Sequence, residues 1–265
     1  MSERLTILLT HQAEPLVESM VAWWQLHAPG PDILVAYGGA RERFEKLDVP
    51  HKVYVDDSRL RTRDHQRERQ SFAGVFIAVN EWLRARPGYQ LIHLSEFDCI
   101  PLCPDLFARL EARLANEGAD VLGCHLERVD GTNHPHFLYH SGDERFAPFL
   151  QEISCRSDRR VVLAMLGCVS FWKREAFTAV ADAEESAPIY LEIALPTLAH
   201  HLGFRVRGLA DQSASVQPVG DFMLQLDALR AAGAWMAHPV KGYWEQQLAE
   251  WPGAADSMAG VTSSP

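Results

Sequence analysis

Apolar runs and segments with helical spacing alternate along the first half of the chain. The apolar runs that have the length of buried strands are residues 5–10, 32–37, 51–55 and 89–94. Between them lie segments whose apolar residues recur at helical spacing: residues 15–27, 41–46 and a longer stretch that ends near residue 85. Strand–helix alternation of this kind predicts an α/β fold with a doubly wound, mostly parallel sheet flanked by helices.

The second half continues with less regular spacing. Helices are predicted at residues 104–116, 173–183, 190–202 and 222–232, and strands at 119–125, 161–167, 169–172 and 204–209. Residues 126–140 are predicted to be a loop, and residues 235–241 a short strand or extended segment. No internal repeat or linker interrupts the pattern. We therefore predict one domain over residues 1–252, with a nucleotide-binding lobe (1–103), an acceptor and sugar lobe (104–252), and a disordered tail (253–265).

Composition narrows the classes of protein. The 265 residues carry 25 basic and 35 acidic side chains, a net charge of −10, which argues against non-specific binding to nucleic acid or to anionic membranes. The 5 cysteines lack C-x-x-C spacing, which indicates reduced thiols. No apolar run is long enough for a signal peptide or a membrane-spanning helix. These features predict a cytoplasmic protein.

The strongest chemical signal follows the fourth strand. Glu96 and Asp98 are separated by one residue, and Pro101 and Pro104 then stop further strand pairing. In an extended or turning segment, residues two apart point the same way, so both carboxylates can address one cation. Ligands of open α/β sheets bind at the carboxyl ends of the strands. A site for a metal and a diphosphate fits this pattern, and a solvated acidic turn that caps the next helix is the plainer alternative.

Two residues later in the chain can join this site. His238 follows a short apolar segment and precedes Pro239, and an imidazole together with carboxylates suits Mn²⁺, or Mg²⁺ with more waters. An ordinary half-buried histidine is the alternative. Glu192 lies early in a predicted helix, where the helix dipole is a sufficient structural reason for an acid. It is also placed to act as a general base toward an acceptor hydroxyl.

An arginine-rich stretch lies between the third and fourth strands. Its guanidinium groups suit phosphate oxygens; they belong to Arg59, Arg61, Arg63, Arg67 and Arg69. The interleaved acids fit a solvated helix face with ion pairs equally well. The pattern does not decide which arginine reaches a ligand, and we take Arg63 as the candidate.

Several common site motifs are missing from the sequence. The first strand is not followed by G-x-G-x-x-G, which disfavours a nicotinamide-binding domain, and G-x-x-x-x-G-K-[ST] does not occur. Ser95 and Ser170 lack the G-x-S-x-G setting of a serine hydrolase.

Taken together, the motifs resemble those of GT-A-type nucleotide-sugar glycosyltransferases. The stretch 93–98, His-Leu-Ser-Glu-Phe-Asp, resembles the family's D-x-D strand end with Glu in the first position. Residues 167–177 are similar in outline to its G-x-x-x-F-x-R-x-A segment. Glu192 stands where inverting members carry a base, although many of them have Glu-Asp rather than Leu-Glu there. His238 stands where a late histidine often completes the metal shell. The motifs follow in family order over most of the chain.

This resemblance implies a function and roles for the residues. The nucleobase of a UDP- or GDP-sugar would lie near Thr10, His11 and the turn at Asp57. The diphosphate would lie over Asp98 through Mn²⁺ or Mg²⁺, with Glu96 and Gly167 on the donor side. The acceptor is not specified, and neither is the oligomeric state. If the reaction inverts, Glu192 would be the base.

Two other functions stay open at this stage. A sugar-1-phosphate nucleotidyltransferase shares the sheet and the metal carboxylates, but it normally has a glycine-rich loop after the first strand, where this chain has Thr-His-Gln-Ala-Glu-Pro at 10–15. A degenerate, non-enzymatic member that binds or scaffolds is the second alternative, since Glu96 and the Leu-Glu pair depart from the family pattern.

Overall fold

The computed structural model describes residues 3–57, 73–154, 160–184, 189–209, 216–217 and 222–240. The strands within these ranges are β1 (Arg4–Thr10), β2 (Asp32–Tyr37), β3 (His51–Tyr54), β4 (Leu91–Glu96), β5 (Ile100–Pro101), β6 (Val121–Arg128), β7 (Leu163–Lys173), β8 (Val206–Gly208), β9 (Val216–Gln217) and β10 (Met236–Ala237). The helices are α1 (Glu14–His27), α2 (Arg41–Lys46), α3 (Ala73–Arg84), α4 (Leu106–Asn116), α5 (Pro135–His140), α6 (Phe146–Ser154), α7 (Arg174–Glu184), α8 (Leu191–His201) and α9 (Phe222–Ala231).

A seven-stranded sheet forms the centre of the fold, in the order β3-β2-β1-β4-β7-β6-β8. The strands β3, β2, β1 and β4 run parallel to one another, and β6 runs parallel to β8. Strand β7 is antiparallel to both of its neighbours. The prediction of a mostly parallel, doubly wound sheet is therefore confirmed, with one reversed strand inside it. Parallel strands bring the carboxyl ends of β1 to β4 to one edge, where ligands of open sheets bind.

The two faces of this sheet carry separate apolar cores. On β1, Leu5 and Ile7 pack with α3, α7 and α8, whereas Leu8 packs on the opposite face with Trp24 of α1 and Leu110 of α4. Side chains alternate between faces along a strand, so a strand covered on both sides reads as an unbroken apolar run. This explains why the central strands were the clearest elements in the sequence.

Two local predictions were wrong. Residues 126–140 are not a loop: β6 continues to Arg128, and Pro135–His140 forms helix α5. The two apolar segments at 161–167 and 169–172 are one strand, β7, whose pairing with β6 shifts register between Gly123 and Cys124 and again between Cys124 and Glu127. Register shifts of this kind disrupt the ladder locally, and β7 continues through them as a single strand.

A second, three-stranded sheet lies beside the acidic turn, in the order β5-β10-β9. Each of its strands is two residues long. This sheet matters for the site because it joins the segment after Asp98 to the segment before His238.

Two further observations bear on the sequence predictions. The cysteines at 99, 103 and 124 are buried free thiols, as expected. In the part of the chain that the structure describes, no helix has both the length and the hydropathy to cross a bilayer. The lobe boundary at residue 103 stays a prediction. Residues 241–265, with the predicted tail, lie outside the described ranges.

Candidate metal and donor site

The acidic pair is fixed by the position of β4 in the sheet. Strand β4 lies between β1 and β7 and ends at Glu96. Its turn is held by backbone bonds, because Phe97 N–H donates to the Leu9 carbonyl at 3.0 Å and Cys99 N–H donates to the Glu96 carbonyl at 3.1 Å. Glu96 is half-buried and Asp98 is fully buried. The turn thus presents both carboxylates at the carboxyl edge of the sheet.

His238 reaches this edge from the other end of the chain. Met236 and Ala237 of β10 pair antiparallel with Pro101 and Ile100 of β5. Two backbone bonds flank this pairing: Leu102 N–H donates to the Trp235 carbonyl at 2.8 Å, and Val240 N–H donates to the Asp98 carbonyl at 2.9 Å. The imidazole Nε2 of His238 lies 3.5 Å from Oδ1 of Asp98. The small sheet therefore holds His238 next to the acidic turn.

Glu96, Asp98 and His238 fit a divalent cation. Each offers one ligand atom, and the three atoms lie within 4.8 Å of one another. Two ligands bound about 2.1 Å from one ion lie about 3 Å apart when adjacent and about 4.2 Å when opposite, so this spacing suits a common ion. Two carboxylate oxygens and an imidazole nitrogen are a donor set for Mn²⁺ or Mg²⁺. Among the described residues, this is the one His, Cys, Asp and Glu group with such spacing.

Glu192 lies on the first turn of α8. Its Oε1 accepts a hydrogen bond from the backbone N–H of Gly167 at 3.4 Å. A side chain at 167 has no room, since a Cβ there would lie 1.9 Å from Leu191 Cδ1 and 3.1 Å from Glu192 Cγ. Glycine therefore allows α8 to begin directly against β7. The structure brings Glu192 and Gly167 into contact, and their roles stay predictions.

The residues predicted for the nucleobase lie along the same edge. Thr10 ends β1, and its carbonyl accepts from Gly38 N–H at 2.9 Å. His11 is exposed and meets the Phe97 ring edge-on at 5.4 Å. Asp57 follows β3 and is buried, and its Oδ2 would lie 2.9 Å from a Cβ placed at Gly74. Thr10 and Asp57 thus lie at the carboxyl ends of β1 and β3, on one edge of the sheet. Arg63 lies outside the described residues, as do Arg59, Arg61, Arg67 and Arg69.

The sequence interpretation missed two features next to Glu192. His140, at the end of α5, is buried and stacks on Tyr190, with ring centroids 5.4 Å apart and planes 10° apart. The proline that opens α5 was the available signal, because proline favours the first turn of a helix. The second feature is a small apolar cavity beside Glu96 and Gly167, to which Leu191 contributes.

No protein-family model matches the chain, and no curated protein matches it. Solved structures do match. The apo structure of WbbM, a bifunctional glycosyltransferase, is 11% identical, covers 99% of this chain and 52% of its own, and superposes with a TM-score of 0.50. The galactosyltransferase LgtC, in complex with donor and acceptor sugar analogues, is 9% identical to this chain. The match covers 98% of this chain and 97% of LgtC, with a TM-score of 0.48. The bifunctional IspDF from Campylobacter jejuni is 12% identical to this chain. The match covers 78% of this chain and 49% of IspDF, with a TM-score of 0.45.

These comparisons concern the fold. The chain spans about half the length of WbbM and of IspDF. With its strand order and the WbbM superposition, the chain has a GT-A-type α/β fold. The resemblance to GT-A glycosyltransferases noted in the sequence is confirmed at that level.

Proposed function

We propose that the chain is a metal-dependent glycosyltransferase that moves a sugar from a nucleoside-diphosphate donor, a UDP- or GDP-sugar, to an acceptor hydroxyl. The observation that carries this proposal is the group Glu96, Asp98 and His238, whose ligand atoms lie within 4.8 Å of one another at the ligand-binding edge of a GT-A-type sheet. A divalent cation held there would neutralise charge on the departing nucleoside diphosphate.

In the proposed reaction, Glu192 acts on the acceptor. As the acceptor oxygen forms a bond to the anomeric carbon, the bond from that carbon to the diphosphate oxygen breaks. The acceptor proton passes to the Glu192 carboxylate, and the nucleoside diphosphate leaves with the bonding electrons. Attack opposite the leaving group inverts the anomeric centre. The Gly167 N–H, which donates to Oε1, orients the carboxylate for this step.

The metal-binding part of the proposal is tested by calorimetry. UDP and GDP are titrated into the protein with Mn²⁺ and then with EDTA, and we expect one nucleotide to bind only with the metal. Asp98→Asn should abolish that binding. Asp105→Asn is the matched control: it removes a carboxylate from the same region, but one that is 53% exposed and paired with Arg109.

Three results would contradict this proposal. Binding of neither nucleotide under any condition favours a scaffold that has lost the activity. Equal loss of binding in the Asp98 and Asp105 variants removes Asp98 from the metal site. Release of pyrophosphate from a nucleoside triphosphate and a sugar 1-phosphate favours a nucleotidyltransferase.

The proposed base is tested by Glu192→Gln. Loss of a general base lowers turnover by about 10²- to 10⁴-fold, so donor consumption should fall by that factor while nucleotide affinity stays the same. Glu175→Gln is the control, since Glu175 is also an acid in the first turn of a helix, α7, and is exposed. If both variants lose activity equally, or neither does, Glu192 is not the base.

A further inference from the structure

The cavity beside Glu96 has mainly apolar walls. Its apolar lining comes from two strands and two helices and consists of Leu9, Val75, Phe76, Leu94 and Leu191. Glu96 and Gly167 complete it. Glu96 also belongs to the candidate metal group, so the cavity adjoins that group directly.

The size of the cavity limits what can enter. Its volume is about 10 Å³, which is close to the least space that one water molecule requires. Four of its walls are firmly packed, because Val75, Phe76, Leu94 and Leu191 are each less than 5% exposed. The cavity therefore suits a single small group, of the size of water or of a methyl, rather than a sugar ring.

The chemistry of the walls favours a methyl group. A buried water needs two to four polar partners. Of the described residues that line the cavity, Glu96 alone has a polar side chain, and the Gly167 N–H is directed to Glu192. A hydroxyl placed there would lose its hydrogen bonds to solvent, whereas a methyl group would gain from leaving water.

We propose that the cavity receives a methyl group of the donor sugar, and that the protein thereby selects donors that carry one. The methyl is either that of a 6-deoxyhexose or that of an N-acetyl group. This inference rests on the proposed glycosyl transfer. The position of the cavity supports the inference. Glu96 belongs to the candidate metal group and Leu191 immediately precedes the proposed base, so the cavity lies where the sugar of the donor would lie.

Two pairs of donors test the proposal. Within each pair, one donor carries a methyl group where the other carries a hydroxymethyl group. One pair is UDP-N-acetylglucosamine and UDP-N-glycolylglucosamine; the other is GDP-fucose and GDP-L-galactose. Donor hydrolysis is measured as kcat/KM with Mn²⁺. An apolar pocket discriminates such groups by about 10- to 100-fold, so we expect the methyl member of one pair to be preferred by that factor. The pair that shows the preference identifies the source of the methyl.

A wall variant checks that the preference arises in this cavity. Val75→Thr keeps the size of the side chain and adds a hydroxyl, so the preference for the methyl donor should fall several-fold. Val79→Thr is the matched control, since Val79 is one turn further along α3, fully buried, and not part of the lining. It should keep the parent preference.

The outcomes separate this inference from the proposed function. Metal-dependent nucleotide binding with no discrimination within either pair overturns the methyl pocket and leaves the transferase proposal standing. The methyl pocket is also overturned if Val75→Thr and Val79→Thr show the same preference for the methyl donor. Absence of nucleotide binding overturns both. The comparison of donors uses the parent protein, so a variant that fails to fold does not prevent the test.

Discussion

The two sheets of this molecule differ in size and in what they contribute. The seven-stranded sheet is covered on both faces by apolar cores and carries Glu96 at the end of its central strand. The three-stranded sheet is built from two-residue strands and brings His238 to Asp98. The residues of β5 and β10 are buried, but they add to an apolar core that already covers one face of the large sheet. The large sheet therefore stabilises the fold, whereas the small sheet assembles the candidate metal group.

The largest expected effect concerns the core of the large sheet. Trp172 is fully buried, its Nε1 donates to Ser170 Oγ at 2.8 Å, and its ring meets Phe177. Trp172→Ala should lower the free energy of unfolding by about 3–5 kcal/mol, because it leaves a cavity. Trp235→Ala, beside the small sheet and only partly buried, should cost less than half as much. Denaturant titration measures both, and equal losses would break the comparison.

A second prediction uses pH to probe the large sheet. His93 on β4 is fully buried between Trp24 and Phe107, and burial lowers its pKa to about 3. The unfolded chain, with a pKa near 6.5, therefore takes up the proton first as the pH falls. The free energy of unfolding should drop between about pH 6.5 and pH 3, by about 2 kcal/mol from pH 7 to pH 5.

Replacing His93 should remove this contribution. In His93→Phe the loss of stability from pH 7 to pH 5 should shrink by about the same 2 kcal/mol. Part of the slope should remain, since burial also lowers the pKa of His27, to about 4. His125→Asn, at an exposed position, is the control and should follow the parent curve. An unchanged slope in His93→Phe would show that this histidine is not held neutral by the sheet.

The smallest effect on stability is expected at the small sheet. His238→Ala should lower Mn²⁺ affinity by at least about tenfold, because one ligand is lost. Its effect on unfolding should stay within about 1 kcal/mol, since the change removes no large buried apolar group. Mn²⁺ titration and denaturant unfolding are measured on the same protein, with His200→Ala at the end of α8 as the control. A large loss of stability with unchanged Mn²⁺ affinity would reverse the roles given to the two sheets.

The same contrast explains what the sequence could predict. Strands such as β1 and β4 are covered on both faces, so their apolar runs identified them and their carboxyl edge directly. Helix α5 has six residues, too few for a helical period to emerge, and Gly131, Pro135 and the three histidines of this segment favoured a loop. The contact of His140 with Tyr190 was consequently missed.

The candidate site was predictable to a different extent for each residue. Glu96 and Asp98 stand out because two acids follow a buried strand. His238 was identified from its position after a short apolar segment and before Pro239, and its place in the order of family motifs supported it. The cavity was beyond prediction, since its shape depends on how side chains from β1, β4, α3 and α8 pack together.

The bond from Val240 N–H to the Asp98 carbonyl has a consequence for biosynthesis. A ribosome makes the acidic turn long before it reaches His238, at about 5–20 residues per second. The nascent chain can thus complete β1 to β4 while its two carboxylates still lack their histidine neighbour. Assembly of the three-residue group must wait until residues 236–240 have left the exit tunnel and closed a long loop onto β5. The three side chains of the candidate metal group therefore come together only late in the synthesis of each new molecule.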